Sequence, residues 1–394
     1  MGLRDVHRIE RMQHALEQAN IDALVCALPT NVLLLSGYWP VIGTSIAVIT
    51  KTGFVHILAP EDEGELAHRG WADVVETFSF GSLEEIKTAV DVLRAPLRRI
   101  LKPGMIVGCE SGPTVEPASY VGMHLFGNAI QRMVSEILPD EVVLSADDVL
   151  SRLRSVLSPG EQARVRLACE IAERAFVDSA HRSCSCLQET EVASLFRPLL
   201  AAEDSATRAG GFVFCMSGAN SAEAYAAYQR SRPRKIEPGD LVLIHCNSYV
   251  DGYWTDITRT FCLGAPDDRK RRMYEAIFAA REAALARIEP GVRAAEVDRA
   301  AREVLSQCGF EKEFKHGLGH GVGFAAINHN APPRLHPASD DVLEPGMIFN
   351  IEPAIYIDNF GGMRHCDMVL LTDDGPQLLT PFQSTMQSLT IEVR

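Results

Sequence analysis

The sequence has 394 residues, 46% of them hydrophobic and 23% charged, with a net charge of −14. That length exceeds what one core usually serves, so two domains are expected. The acidic balance argues against nucleic acid or an anionic membrane as partner, and no run reaches the roughly 18 apolar residues of a membrane span.

The opening MGLRDVHRIERMQHAL is charged and amphipathic rather than continuously apolar, which predicts no signal peptide. Val6 stands where a myristoylation pattern wants Ser or Thr. Apolar positions at helical spacing (Ile9, Met12, Leu16) predict a helix over 7–20 that ends near Asn20. Short apolar runs follow, DALVCAL, SIAVIT, FVHILA and IVGCE, and they alternate with helical stretches such as SLEEIKTAVDVLRAPL. Alternation of this kind predicts an α/β domain over residues 1–150, read as structural or as a lid because no titratable groups cluster beside glycine there. Pro159-Gly160 reads as the domain junction.

The second domain, 158–394, begins with a long helix from Ser158, where Ser is followed three residues later by Glu161. A second helix is predicted at 187–202, and strands at 211–216, 241–250 and 253–263. Asp251-Gly252 supplies the turn of a hairpin between the last two. Helices at 267–288 and 294–308 and strands at 347–357 and 364–372 complete the pattern. Helices and strands segregate, which predicts an α+β domain with an antiparallel sheet. Among the ten cysteines, Cys26, Cys169, Cys215 and Cys308 lie in apolar runs and read as reduced core thiols of a cytoplasmic protein. Cys184 and Cys186, after His181, lack the second pair that a zinc site needs.

Five side chains able to ligate a metal sit in short strand-like or glycine-rich frames. They are His245, Asp256, His320, Glu352 and Cys366. On the two arms of the hairpin, His245 and Asp256 are expected nearly opposite one another, about 5 Å apart. A buried Asp in such a strand needs a partner, either an ion or the neighbouring Thr255 or Thr258. In His316-Gly-Leu-Gly-His320-Gly-Val-Gly, alternating glycines strip the surroundings of His320 and permit close backbone approach. His316 reads as a bystander able to hydrogen-bond a substrate. Glu352, mid-strand between Ile351 and Pro353, needs a cation or a tight hydrogen bond. Period 2 puts Arg364 and Cys366 on one face and His365 and Asp367 on the other. Cys366 serves equally as a thiolate ligand or as a small buried thiol.

These frames resemble the pita-bread family that includes aminopeptidase P, prolidase and creatinase. RIERMQHALEQANIDALVC resembles the family's opening, and LSPGEQARVRLACEIAE the first helix of its catalytic domain. GDLVLI, GYWTDITRTF, GHGVGF, LEPGMIFNIEPAIY and GGMRHCDMVLLT then follow in the family's order. The resemblance implies a pita-bread carboxy-terminal domain and hydrolysis of a C–N or amide bond, Xaa-Pro peptides being the prior substrate. It also implies a homodimer. Its metallopeptidase members hold two divalent ions with Asp, Asp, His, Glu and Glu, and these positions fall on His245, Asp256, His320, Glu352 and Cys366. The second Asp and the last Glu are the bridging carboxylates. Zinc, iron, manganese or cobalt is implied, one or two ions, and imidazole and thiolate in place of carboxylates shift preference away from manganese and toward zinc, iron or similar ions. The family's substrate-side His is best matched by His329, nine residues after His320, and a second such His is replaced by a region where Tyr225 and Tyr228 are nearest. Arg364 matches the family's substrate- or network-contacting Arg. Roles follow: water activation at the ion, His329 at the oxyanion, and Glu352, if not a tight ligand, as general base. The rival readings are metal-free hydrolysis, as in creatinase, with His245 or His320 as base, and a binding protein with a defunct site.

Overall fold

The computed structural model describes residues 3–79, 86–110, 129–138, 142–180, 187–201, 207–225, 231–328 and 331–393. Cys184, Cys186, Tyr228 and His329 lie outside the described residues. The chain divides into two compact units, Met1–Gly160 and Glu161–Arg394.

In the first unit a six-stranded mixed sheet runs in the order Val74–Phe78, Val55–Pro60, Ile46–Thr50, Ala23–Cys26, Val107–Cys109, Val143–Ser145. Each apolar run singled out above forms one of its strands. The first helix is Val6–Gln18, with Ile9, Met12 and Leu16 buried, and Asn20 closes it in a left-handed conformation (φ 53°). Glu110 is buried, yet accepts from the Ala27 and Leu28 amides at 2.7 and 2.8 Å. With Asn31 Nδ2 donating to its other oxygen (2.8 Å), it ties down the chain leading into the helix Pro29–Ser36, a structural use of an acid.

Pro159-Gly160 ends the first unit, and Pro159 also opens the helix Pro159–Ala180, where its missing N–H costs nothing. The core of the second unit is an antiparallel sheet in which Leu241–Val250 lies between Ala209–Ser217 and Ile257–Leu263. The helices Asp268–Leu285 and Ala294–Gln307 occupy the two predicted helical stretches. Cys308, expected in the core, is exposed, because it falls just past the end of the second of these helices.

Three runs predicted as single strands are broken. The hairpin's second arm splits into Tyr253–Trp254 and Ile257–Leu263, leaving Thr255-Asp256 between them. The run 347–357 splits into Ile348–Ile351 and Ala354–Ile357 at Glu352-Pro353, where proline has no N–H for a ladder. The last run splits into Gly361–Arg364 and Asp367–Thr372 at His365-Cys366. Ile348–Ile351 pairs with Asp367–Thr372 and Ala354–Ile357 with Gly361–Arg364, so these two breaks face each other. The His365 amide crosses them to Pro353 O (3.2 Å).

The broken ends are fastened from behind by buried charge. Arg259 donates to Thr258 O (2.9 Å), Cys366 O (2.7 Å) and Asp367 Oδ1 (2.7 Å). Arg281, from the helix Asp268–Leu285, donates to Asp367 Oδ2 (2.6 Å). Burial works against ionising Asp367, but the two guanidiniums and His365 hold its carboxyl far below the usual range. Removing such an anion strands two buried cations. Asp367→Ala is therefore expected to lose about 3–5 kcal/mol of stability in urea unfolding. A loss indistinguishable from a surface mutation would contradict this account of the lock.

Candidate metal and active site

Asp256, Glu352 and Cys366 each occupy one of the three strand breaks, where the backbone leaves its ladder and turns a side chain inward. Thr258 bridges to Cys366 by a reciprocal backbone pair, Cys366 N to Thr258 O at 3.0 Å and Thr258 N to Cys366 O at 3.4 Å. That bridge carries the first break to the third. Donor atoms of Asp256, Glu352 and Cys366 all lie within 4.8 Å of one another.

His320 enters from the glycine-rich segment, which pairs with the second break. Asn350 N donates to His320 O (3.1 Å) and Glu352 N to Leu318 O (2.8 Å). A Cβ at Gly319 would fall 2.0 Å from Asn350 O, and one at Gly321 would fall 2.1 Å from Pro332 O. The glycines are thus required by close backbone approach. Gly319→Ala is expected to cost about 1–3 kcal/mol by overpacking, read by urea unfolding; wild-type stability would show that the segment can yield.

The imidazole of His320 is oriented by Nδ1–H donating to Gly321 O (3.0 Å), which leaves Nε2 facing Asp256 Oδ2 at 3.6 Å. Orientation of one ring nitrogen through the other is how ligand histidines are held. Burial lowers the affinity of this ring for a proton, but Asp256 and Glu352 outweigh it and raise its pKa. Burial also opposes ionisation of Asp256, yet His245, His320 and Arg364 hold its carboxyl below the usual range. Glu352 is pushed up to about 7, by burial first, with Arg364 opposing and Asp256 adding to the rise. Burial pushes the Cys366 thiol well up, and its S–H donates to Asp256 O (3.1 Å). Two carboxyls, an imidazole and a thiol on four segments form a donor set that fits a divalent ion of borderline softness.

His245 stands opposite Thr258, not Asp256; the hairpin register places it two residues away from the expected pairing. The turn is a two-residue loop, with Val250 paired to Tyr253, and counting back from it sets the offset. Diagonal neighbours still approach, and His245 Nδ1 is 3.6 Å from Asp256 Oδ1. Nor is Asp256 held by the neighbouring threonines. Thr255 Oγ1 bonds Ser248 (2.6 Å), and Thr258 Oγ1 lies 2.9 Å from His245 Nδ1.

A cavity with about 270 Å³ of empty space, part of it open to solvent, is lined by Tyr225, His245, Asp256, His316, His320, Ile327, Glu352 and Arg364. Arg364 is its buried cation. It donates to Thr258 Oγ1 (3.1 Å), His245 Nδ1 (3.0 Å) and Tyr356 Oη (3.5 Å), with Nε 3.7 Å from Glu352 Oε2. His316, read as a bystander, lines the cavity with Nε2 3.1 Å from Tyr356 Oη. Tyr225 packs on Tyr356 with ring centroids 5.5 Å apart. Sequence reasoning missed Asn247, Asn350 and Tyr356, and named Thr258 only as a partner for Asp256. The alternation in Ile-Thr-Arg-Thr and the frame Glu-Pro-Ala-Ile-Tyr carried signals for Thr258 and Tyr356.

The chain belongs to metallopeptidase family M24, whose model matches residues 163–373. A creatinase/prolidase amino-terminal domain matches residues 8–156. An Xaa-Pro dipeptidase of Pyrococcus furiosus is 29% identical over 374 residues, covering 95% of this chain and 97% of that one. A probable dipeptidase PepE of Mycobacterium bovis is 35% identical over 58% of this chain and 60% of its own. The crystal structure of the prolidase from Pyrococcus horikoshii OT3 superposes with a TM-score of 0.75 at 27% identity, covering 95% of this chain and 98% of that one. The two-domain pita-bread architecture expected from the sequence is therefore the observed one.

Proposed function

We propose that this chain hydrolyses the amide bond of small Xaa-Pro peptides, with a divalent ion held by Asp256, His320, Glu352 and Cys366. The observation that carries the reading is the convergence of those four side chains beside a small cavity whose wall holds a buried arginine. Full-length relatives titled Xaa-Pro dipeptidase and prolidase support the substrate class. When bound, the ion would supply Lewis acidity toward a carbonyl oxygen and toward water. Zinc, iron or a similar ion suits a set with one thiol and one imidazole better than manganese does.

The chain's own residues do the rest. Where Glu352 is not a tight ligand, its carboxylate takes a proton from attacking water and returns it to the leaving nitrogen. Arg364 and the Tyr356 hydroxyl present donors to the cavity, where a substrate carboxylate or a developing oxyanion would accept them. Tyr225 and Ile327 line the same cavity and offer an apolar wall to a pyrrolidine ring. His329 stays in the proposal as a donor to the oxyanion, on the strength of the family resemblance. A homodimer is implied by the same resemblance and is read by light scattering. Among the described residues eight cysteines are free thiols, which supports a cytoplasmic setting, and no helix is long and apolar enough to cross a membrane.

Proline release from Xaa-Pro dipeptides tests the proposal. Asp256→Ala and His320→Ala are each expected to lower kcat/KM by at least about a hundredfold while leaving the circular-dichroism spectrum unchanged. Wild-type rates in either variant, or turnover indifferent to chelator, would remove the metal-assisted reading.

A further inference from the structure

The resemblance counts His245 among five ion ligands, and a second ion would need it together with the bridging positions Asp256 and Cys366. Its surroundings commit both ring nitrogens elsewhere. Asn247 donates its amide Nδ2–H to Thr255 O (3.1 Å). That fixes the amide so that Oδ1 faces His245 Nε2 at 3.0 Å. An amide oxygen can only accept, so Nε2 carries the proton. Nδ1 of the neutral ring is then the lone pair, and Arg364 Nη2 donates to it at 3.0 Å. The hydroxyl of Thr258, itself accepting from Arg364 Nε, lies 2.9 Å from the same nitrogen. The ring also stacks on Phe214 at 6.2 Å and an interplanar angle of 15°, which holds its plane.

We infer that the chain holds one ion rather than two, at Asp256, His320, Glu352 and Cys366, and that His245 is a positioning residue whose Nδ1 lone pair is taken by the guanidinium of Arg364 instead of by a second cation. Charge supports the count. One dication and Arg364 balance Asp256, Glu352 and a coordinating thiolate, whereas a second dication leaves two uncompensated positive charges in a buried site. If Cys366 keeps its proton, the excess is larger still. The inference rests on the metal reading above, and its test separates the two.

Cobalt reports both number and ligand. The full chain, stripped with chelator and titrated with cobalt(II), is expected to develop its visible bands and its sulfur charge-transfer band together, with one break at one equivalent. Elemental analysis after gel filtration from excess cobalt should then give one ion per chain. His245→Ala, if folded, should keep that single ion. His245→Asp combined with Cys366→Glu, which rebuilds the family's carboxylates, should raise the count to two. A second break in the wild-type titration, loss of the ion in folded His245→Ala, or a folded double variant that stays at one ion overturns the inference. Failure of the wild-type chain to take any ion overturns the metal reading and the inference with it. The wild-type titration decides the matter even if neither variant folds.

Discussion

Two arginines, Arg364 and Arg259, hold the broken strands of the second unit together, and each is buried among acceptors from several segments. Arg364 faces the cavity and ties Thr258, His245 and Tyr356 to one planar cation. Arg259 lies behind, spanning Thr258 O, Cys366 O and Asp367. Charged groups are rarely removed from water to this degree unless every donor finds an acceptor. Arg259 places all five of its donors on acceptors, Arg364 places three, and the consequence is geometric: backbone freed by the strand breaks is clamped on both faces. Asp256 and Cys366 therefore stand within reach of each other although 110 residues separate them.

A clamp of this kind explains why the donors sit at irregularities. A regular strand points successive side chains to opposite faces, so a ladder offers few ways to aim three donors at one point. Interrupting three ladders at one level removes that restriction, at the cost of backbone groups that need new partners. Those partners are visible in the Pro353–His365, Thr258–Cys366 and Leu318–Glu352 bonds. The glycines around His320 belong to the same solution, since the segment must approach Asn350 more closely than any Cβ allows.

Much of this was legible in the sequence. Strand and helix placement followed from apolar period and turn chemistry, and the chain order of the motifs carried the family. What periodicity could not show were the breaks themselves. Thr255-Asp256 and His365-Cys366 continue their strands' residue types without Gly or Pro, so only the tertiary pairing reveals the interruption. Pro353 was a signal, since it cannot serve a ladder on both sides. The register of His245 lies two residues from the pairing expected with Asp256, because the two-residue turn pairs Val250 with Tyr253 and so sets His245 against Thr258. Arg364 was legible only as a family match; that it would accompany His245 depended on a contact across 119 residues. His329 and Tyr228, named from the sequence, fall outside the described residues.

The central claim is that a thiol from one strand break joins two carboxyls and an imidazole from the other segments at one point. X-ray absorption at the metal edge of zinc-loaded protein measures this most directly. The account predicts a single sulfur scatterer at about 2.3 Å beside nitrogen and oxygen at about 2.0–2.2 Å. A shell of nitrogen and oxygen alone would place Cys366 outside the site and contradict it.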